Sequence, residues 1–318
     1  MFIYSFYLSF AAQLLGQNTE GFFKPFFYLK IYDYLFIFQY TFKTFSIVTI
    51  FVLFLAVIIG ISLGLIGGGG SILTVPVLVY VAGISPTLAT AYSLFIVGST
   101  SLVGSGTNLL KKMVHIPTAI VFSIPSFIAV YAVRKFIVPM IPPTLFSVGG
   151  FAVTKNIFIM IFFAAIMLLA AISMIWSKNR EGSQNDDISK ITFNYPLIIL
   201  EGFVVGGLTG FVGAGGGFLI IPALVMFAKL PMRLAIGTSL LIIAIKSLIG
   251  FTGDMQNLAP QIDWTLLGTF TGAAIVGIFI GTYLSQFVKA ETLKRGFGWF
   301  VLVMAFYILL KELVFTKP

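Results

Sequence analysis

One lysine stands deep inside an apolar stretch, Leu240-Leu-Ile-Ile-Ala-Ile-Lys246-Ser-Leu-Ile-Gly250. In a bilayer such a charge costs about 3 kcal/mol on insertion scales unless it meets a partner or a cavity. Its chemistry is that of an anion attractor or of a counter-charge for a carboxylate. The carboxylate best placed for it is Glu201, which lies in the preceding apolar stretch. If the segment between the two folds back, they lie at similar depth and pair directly. The pair is then either a structural ion pair or a lysine poised against a proton-carrying carboxylate.

Backbone groups supply the second kind of chemistry. Gly64-Leu-Ile-Gly67-Gly-Gly69-Gly70-Ser71 leads to Pro76, and Gly210-Phe-Val-Gly213-Ala-Gly215-Gly216-Gly217 leads to Pro222. The spacing is constant, since 213 − 67 and 222 − 76 both give 146. Glycine takes positive φ without steric cost, so the chain can leave helical geometry at each cluster. The helix is expected to restart at Ser71 and at Gly217. A helix start presents unpaired N–H groups and a partial positive charge, which suit an oxyanion. The candidate binding residues are therefore Gly67, Gly69, Gly70 and Ser71 in one copy and Gly213, Gly215, Gly216 and Gly217 in the other. Pro76 and Pro222 would kink or end the short segments. Glycines alone also permit close helix packing. Duplicated glycine runs followed by proline point further, to one site built from two broken helices.

Hydroxyl-bearing helices follow each break. Ser93, Thr100 and Gly104 share one helical face, and Ser239, Lys246 and Gly250 form the matching face, with Thr238 beside them. These hydroxyls donate to an oxyanion, coordinate a small cation, or simply tie helices together. Arg134 and Lys135 close a stretch beside Pro139 and read first as interfacial anchors, then as an entrance funnel. His115, Asn108 and Asp254 fall at stretch ends, where water is expected to reach them.

The elements that must position these groups are membrane helices. The chain has 318 residues, 59% hydrophobic and 9% charged, with mean hydropathy +1.08, whereas a soluble domain carries about 25% charge. Apolar runs able to cross about 30 Å of hydrocarbon fall at 46–66, 86–110, 114–138, 154–177, 194–213, 232–252, 262–286 and 293–315. The short segments 70–83 and 216–229 read as re-entrant or half-helical. The expected fold is an all-α polytopic membrane protein with about eight transmembrane helices in two homologous halves, 45–177 and 194–318, joined by the polar linker 178–193. The correspondence persists through Leu88-Ala89 with Leu234-Ala235, Ser101-Leu102 with Ser247-Leu248, and Gly104 with Gly250. After Ile116 and Ile262 the first half carries an insertion near Pro139–Pro143. Counting each short segment as a crossing would invert the repeats, and loop charges do not choose between the two arrangements. Residues 1–44 have no counterpart. They mix aromatics with Lys24, Lys30 and Asp33, as an interfacial helix does, an extra span being the second reading. Residues 2–14 lack a basic leader, so no cleaved signal peptide is expected.

Nineteen Lys and Arg against 10 Asp and Glu give a net charge of +9. These cations flank apolar runs, where they set topology and meet anionic lipid rather than nucleic acid. With no cysteine and a single histidine, no metal site and no cofactor are expected. No P-loop is present, no two aspartates face each other within spans, and no G-x-S-G occurs. An enzyme is not expected.

The paired motif resembles the TauE/SafE sulfite exporter family. So do Ala235-Ile-Gly-Thr-Ser-Leu240, Ser247-Leu-Ile-Gly-Phe251 and Gln261-Ile-Asp-Trp264, and the likeness covers about 45–315. It implies a permease of the cell (plasma or inner) membrane that moves small sulfur-containing anions, such as sulfite or organosulfonates, outward. The implied partners are a small anionic substrate and membrane lipid, and a homo-oligomer stays open. The chain departs from the pattern at Ala91-Tyr92-Ser93 and Ile116-Pro117-Thr118, and Lys246 is not part of the resemblance. A cation transporter or channel is the alternative, because half-helix C-termini bind cations as readily.

Overall fold

The computed structural model describes residues 47–148, 151–176, 195–226, 228–287 and 290–315. The N-terminal extension and the polar linker lie outside them. The chain divides into Met1–Ile50 and Phe51–Pro318. Of the first unit only the opening residues of a helix are described, and the helical bundle belongs to the second.

The helices are α1 (Ile47–Ile66), α2 (Pro86–Leu110), α3 (Ile116–Ala132), α4 (Lys155–Trp176), α5 (Tyr195–Val212), α6 (Gly217–Met226), α7 (Met232–Leu258), α8 (Trp264–Leu284) and α9 (Ala290–Leu310). A 3₁₀ segment, Gly67–Leu73, prolongs α1, and its helical path ends in a wide turn, Val77–Val81. Another wide turn, Val133–Ile137, carries α3 on to Met140. Among the described residues six helical stretches are long and apolar enough to cross a membrane: 50–81, 86–110, 116–140, 155–176, 232–255 and 264–284. Helix α5 is apolar over 196–212 only, and α9 begins with Glu291, Lys294 and Arg295. Large apolar side chains such as Phe54, Leu102, Phe203 and Phe279 face outward, each at least half exposed. A soluble protein would place charge there. These surfaces suit hydrocarbon, and the protein is a multi-pass membrane protein.

Lipid tails give helices no hydrophobic reason to associate, so close packing of small residues must hold them. Gly60 and Gly64 of α1 press on Ala274, Gly277, Ile278 and Gly281 of α8, so that an added Cβ would strike backbone. Gly202, Gly206 and Gly210 of α5 press in the same way on Phe122, Ser126 and Val130 of α3. Gly60 and Gly206, and Gly64 and Gly210, are again 146 apart. Between these pairs α2 and α7 pack on each other, with Gly104 against Leu240 and Gly250 against Leu94. That is one contact made twice with the partners exchanged. Helix α4 packs on α9.

The structure departs from an all-α fold at the insertion. Thr144–Val148 and Phe151–Thr154 form an antiparallel hairpin, with Thr144 opposite Thr154 and Val148 opposite Phe151. Pro142 and Pro143 prevent helix propagation. The β-branched and aromatic residues that come next flank Gly149-Gly150, a hairpin signal.

Since a side chain at Gly277 would strike the Val57 carbonyl, Gly277→Val should lower the melting temperature of the purified protein, overpacking typically costing about 1–3 kcal/mol. Gly272→Ala, on the same helix with nothing within 4 Å of an added Cβ, should leave it unchanged.

Candidate functional site

Both glycine clusters turn the chain back on itself. In a straight helix, residues seven apart are separated by about 10 Å. An added Cβ on Gly70 would instead lie 2.6 Å from the Leu63 nitrogen, and one on Gly216 would strike Thr209. The reversals occur at Gly67 (φ +70°) and at Gly213, Gly215 and Gly216 (φ +73°, +64° and +66°), where a side chain costs about 1–2 kcal/mol per residue. The second helix restarts at Gly217, as the sequence suggested. In the first copy a tighter 3₁₀ coil begins at Gly67 and α-turns resume only at Thr74. The Ser71 hydroxyl donates to the Gly68 carbonyl at 2.6 Å and holds that coil. Pro222 lies inside α6, which runs on to Met226.

The two breaks meet backbone to backbone. A Cβ on Gly68 would strike the Gly217 Cα, and one on Gly217 would strike Gly68. Each break also packs on the helix that follows the other. Gly67 faces Ile236 and Ser239 of α7, whereas Gly213 faces Thr90 of α2, and residues 90 and 236 correspond. Val97 of α2 and Ile243 of α7, also corresponding, both lie against Gly215. Four residues before and three after each of them stand Ser93 and Thr100 on α2, and Ser239 and Lys246 on α7. The predicted hydroxyl faces are therefore turned toward the breaks. Ser93 and Thr100 are fully buried and their oxygens have no hydrogen-bond partner among the described residues. Ser239 back-bonds to the Ile236 carbonyl at 2.8 Å.

Lys246 is 1% exposed. Its ammonium donates to Thr209 Oγ1 at 2.8 Å and would lie 2.9 Å from a Cβ on Gly216, at the junction of the breaks. The expected direct pairing with Glu201 is not made. Lys246 sits level with Thr209, and Glu201 lies eight residues earlier on α5, about 12 Å along the axis. Glu201 is half-buried, and its Oε1 has no partner among the described residues.

Thr238 leaves the site: its Oγ1 accepts the His115 backbone N–H at 2.9 Å. The corresponding residue, Tyr92, accepts the Asp263 N–H through its hydroxyl at 2.5 Å. His115 and Asp263 are both helix caps, the first accepting from Thr118 N and the second from Thr265 N and Leu266 N. Desolvation pushes the His115 pKa below its ordinary value, in keeping with a neutral ring that accepts. The departures from the motif at 91–93 and 116–118 thus fall where the helix starts are clipped.

Three polar residues read as solvated or interfacial are buried. Asn108 is 8% exposed and donates to the Gly104 carbonyl at 2.8 Å. Arg134 is 0% and Asp254 3% exposed. Arg134 Nη1 lies 3.2 Å from Asp254 Oδ2 and donates to Thr90 Oγ1 at 3.0 Å. Sequence reasoning missed this pair because Arg134 falls in the wide turn 133–137, whose extra residue shifts the register and points it inward. Lys135 beside it stays half-exposed over the rings of Tyr131 and Phe136. Among the described residues no cluster of acidic and histidine side chains could hold a metal.

The sequence profile of the family described as "Sulfite exporter TauE/SafE" matches residues 52–308. A probable membrane transporter protein of Xylella fastidiosa (strain 9a5c) is 27% identical over 259 residues, covering 79% of this chain and 91% of the relative. Probable membrane transporter protein YunE of Bacillus subtilis (strain 168) is 27% identical over 256 residues, covering 75% and 89%. Probable membrane transporter protein YdhB of the same organism is 34% identical over 121 residues, covering 38% and 49%. No solved structure matches the chain significantly. A family match spanning both glycine breaks, on a bundle of apolar helices, makes this chain a membrane transporter of the TauE/SafE sulfite exporter family.

Proposed function

We propose that the protein exports small sulfur-containing oxyanions, of the sulfite or organosulfonate class, through a site between its two glycine-broken segments. The observation that carries this reading is Lys246. It is a buried cation hydrogen-bonded to a neutral hydroxyl, with no described carboxylate in ion-pair reach, and it faces the glycine of one break where the other arrives. An anion is the partner such a lysine lacks. The backbone of 67–71 and 213–217, with Ser93, Thr100 and Ser239, lines the same junction. A cation site would have to form beside that ammonium, so the anion reading is preferred.

The finer architecture belongs to this proposal. Eight spans form two homologous halves, and the short segments after each break are re-entrant. The recurrence of contacts 146 residues apart, with partners exchanged between halves, supports that reading. Glu201 is the group proposed to couple a proton to anion movement, being a half-buried carboxylate on the helix that also carries Thr209.

Counterflow in proteoliposomes tests the proposal, with labelled sulfite exchanged against sulfate, thiosulfate, sulfoacetate and chloride. Exchange of sulfur oxyanions but not of chloride is expected; cation flux without anion flux would refute it. Gly68→Leu and Gly215→Leu should abolish exchange while the protein remains inserted, and full activity in either would remove the breaks from the mechanism. Lys246→Ala should weaken half-saturation by an order of magnitude or more; unchanged affinity would make Lys246 structural. In Glu201→Gln, exchange should persist while stimulation by an imposed pH gradient disappears. A gradient response equal to that of the wild type would dismiss the proton role.

A further inference from the structure

Arg134 is fully buried, yet two of its three guanidinium nitrogens are unused. Nη1 serves Thr90 and Asp254. Nε and Nη2 have no hydrogen-bond acceptor among the described residues. Those two atoms form one edge of the guanidinium, the fork whose parallel N–H bonds match two oxygens of an oxyanion. Buried donors are almost always satisfied, and an orphaned pair calls for an explanation. The position of this edge supplies one: a Cβ on Gly213 would strike Nη2. The second break thus has a buried cation at each end, Arg134 at Gly213 and Lys246 at Gly216.

The carboxylate side is equally incomplete. Asp254 Oδ2 lies 3.2 Å from Nη1 without an aligned hydrogen bond, so charge rather than a fitted fork holds the pair. Lys155, at the start of α4, interacts electrostatically with both residues. Among the described residues Asp254 is the carboxylate paired with Arg134, and the partly exposed Lys155 adds a further positive charge to the cluster.

We propose that Arg134 is a second oxyanion-binding residue of the transport site and that Asp254 is its tethered competitor. The carboxylate neutralises the guanidinium while the site is closed. An arriving sulfite or sulfonate takes the Nε–Nη2 fork, and Asp254 then yields its share of the charge. Because the guanidinium is completely covered, the anion reaches it only when the Gly213 backbone and α3 part, a motion of the kind alternating access requires. This inference rests on the permease reading and adds to it the residue that competes with the substrate.

The test is titration of the purified full chain in neutral detergent with sulfate and with sulfoacetate, read by calorimetry and by the shift in melting temperature. Asp254→Asn removes the competing charge and should tighten binding about tenfold. Arg134→Lys keeps the ion pair, and so should keep the fold, but lacks the fork and should weaken binding tenfold or more. If Asp254→Asn does not survive purification, Arg134→Lys decides alone. Unchanged affinity in Arg134→Lys, or equal or weaker binding in a folded Asp254→Asn, overturns the inference. If at the same time Lys246→Ala loses affinity, the permease reading stands without it; if the wild-type chain binds no oxyanion, both fall. In nanodiscs, affinity independent of anionic-lipid content supports a dissolved ion as ligand, whereas loss of binding in proportion to that content assigns the fork to a lipid headgroup and overturns the inference.

Discussion

The structure turns on the contact between Gly68 and Gly217. Backbone that leaves helical geometry inside a bilayer must be satisfied by protein or by water, and here each break is covered by the other. Neither position tolerates a Cβ, because it would occupy the opposing main chain. That close approach accounts for glycine at 68 and 217, while the reversals at positive φ account for Gly67, Gly213, Gly215 and Gly216. The surrounding helices are interlocked, α1 on α8 and α5 on α3, with α2 and α7 crossing between. Close small-residue contacts at Gly60, Gly64, Gly206, Gly277 and Gly281 clamp the helices around the breaks.

Charge is then distributed around that junction. Lys246 and Arg134 are buried cations beside the second break, and among the described residues Asp254 is the one carboxylate in ion-pair contact with either. Such an excess would be costly in a sealed apolar core. In the reading proposed above, an anionic substrate brings the missing negative charge. The hydroxyls of Ser93 and Thr100, buried without partners among the described residues, are in the same reading further donors to that anion.

Much of this was legible in the sequence. The glycine-proline motif and its spacing of 146 located both reversals, and hydropathy located the long helices to within a few residues. The pairing of Ser93 with Thr100 and of Ser239 with Lys246 on matching faces came from helical periodicity alone. Features that could not be read depended on register and depth. Lys246 meets Thr209 rather than Glu201 because the reversal brings the end of α5, not its middle, level with the lysine. Arg134 turns inward because of a wide turn that no simple periodicity predicts. Thr238 is spent on the His115 amide, a tertiary contact between segments more than a hundred residues apart. The hairpin at 144–154 had a local signal in Gly149-Gly150, masked by the apolar character of its flanks.

The central claim is that substrate visits the junction of the two breaks. The chain contains no cysteine, so a single thiol can be placed there as Ser71→Cys, within the first coil. The rate of its reaction with N-ethylmaleimide in native membranes is the most direct measurement. Slow labelling is expected, slowed further by sulfoacetate and unaffected by chloride. Labelling insensitive to every sulfur oxyanion, in a protein that still transports one, would place the path elsewhere and contradict the claim.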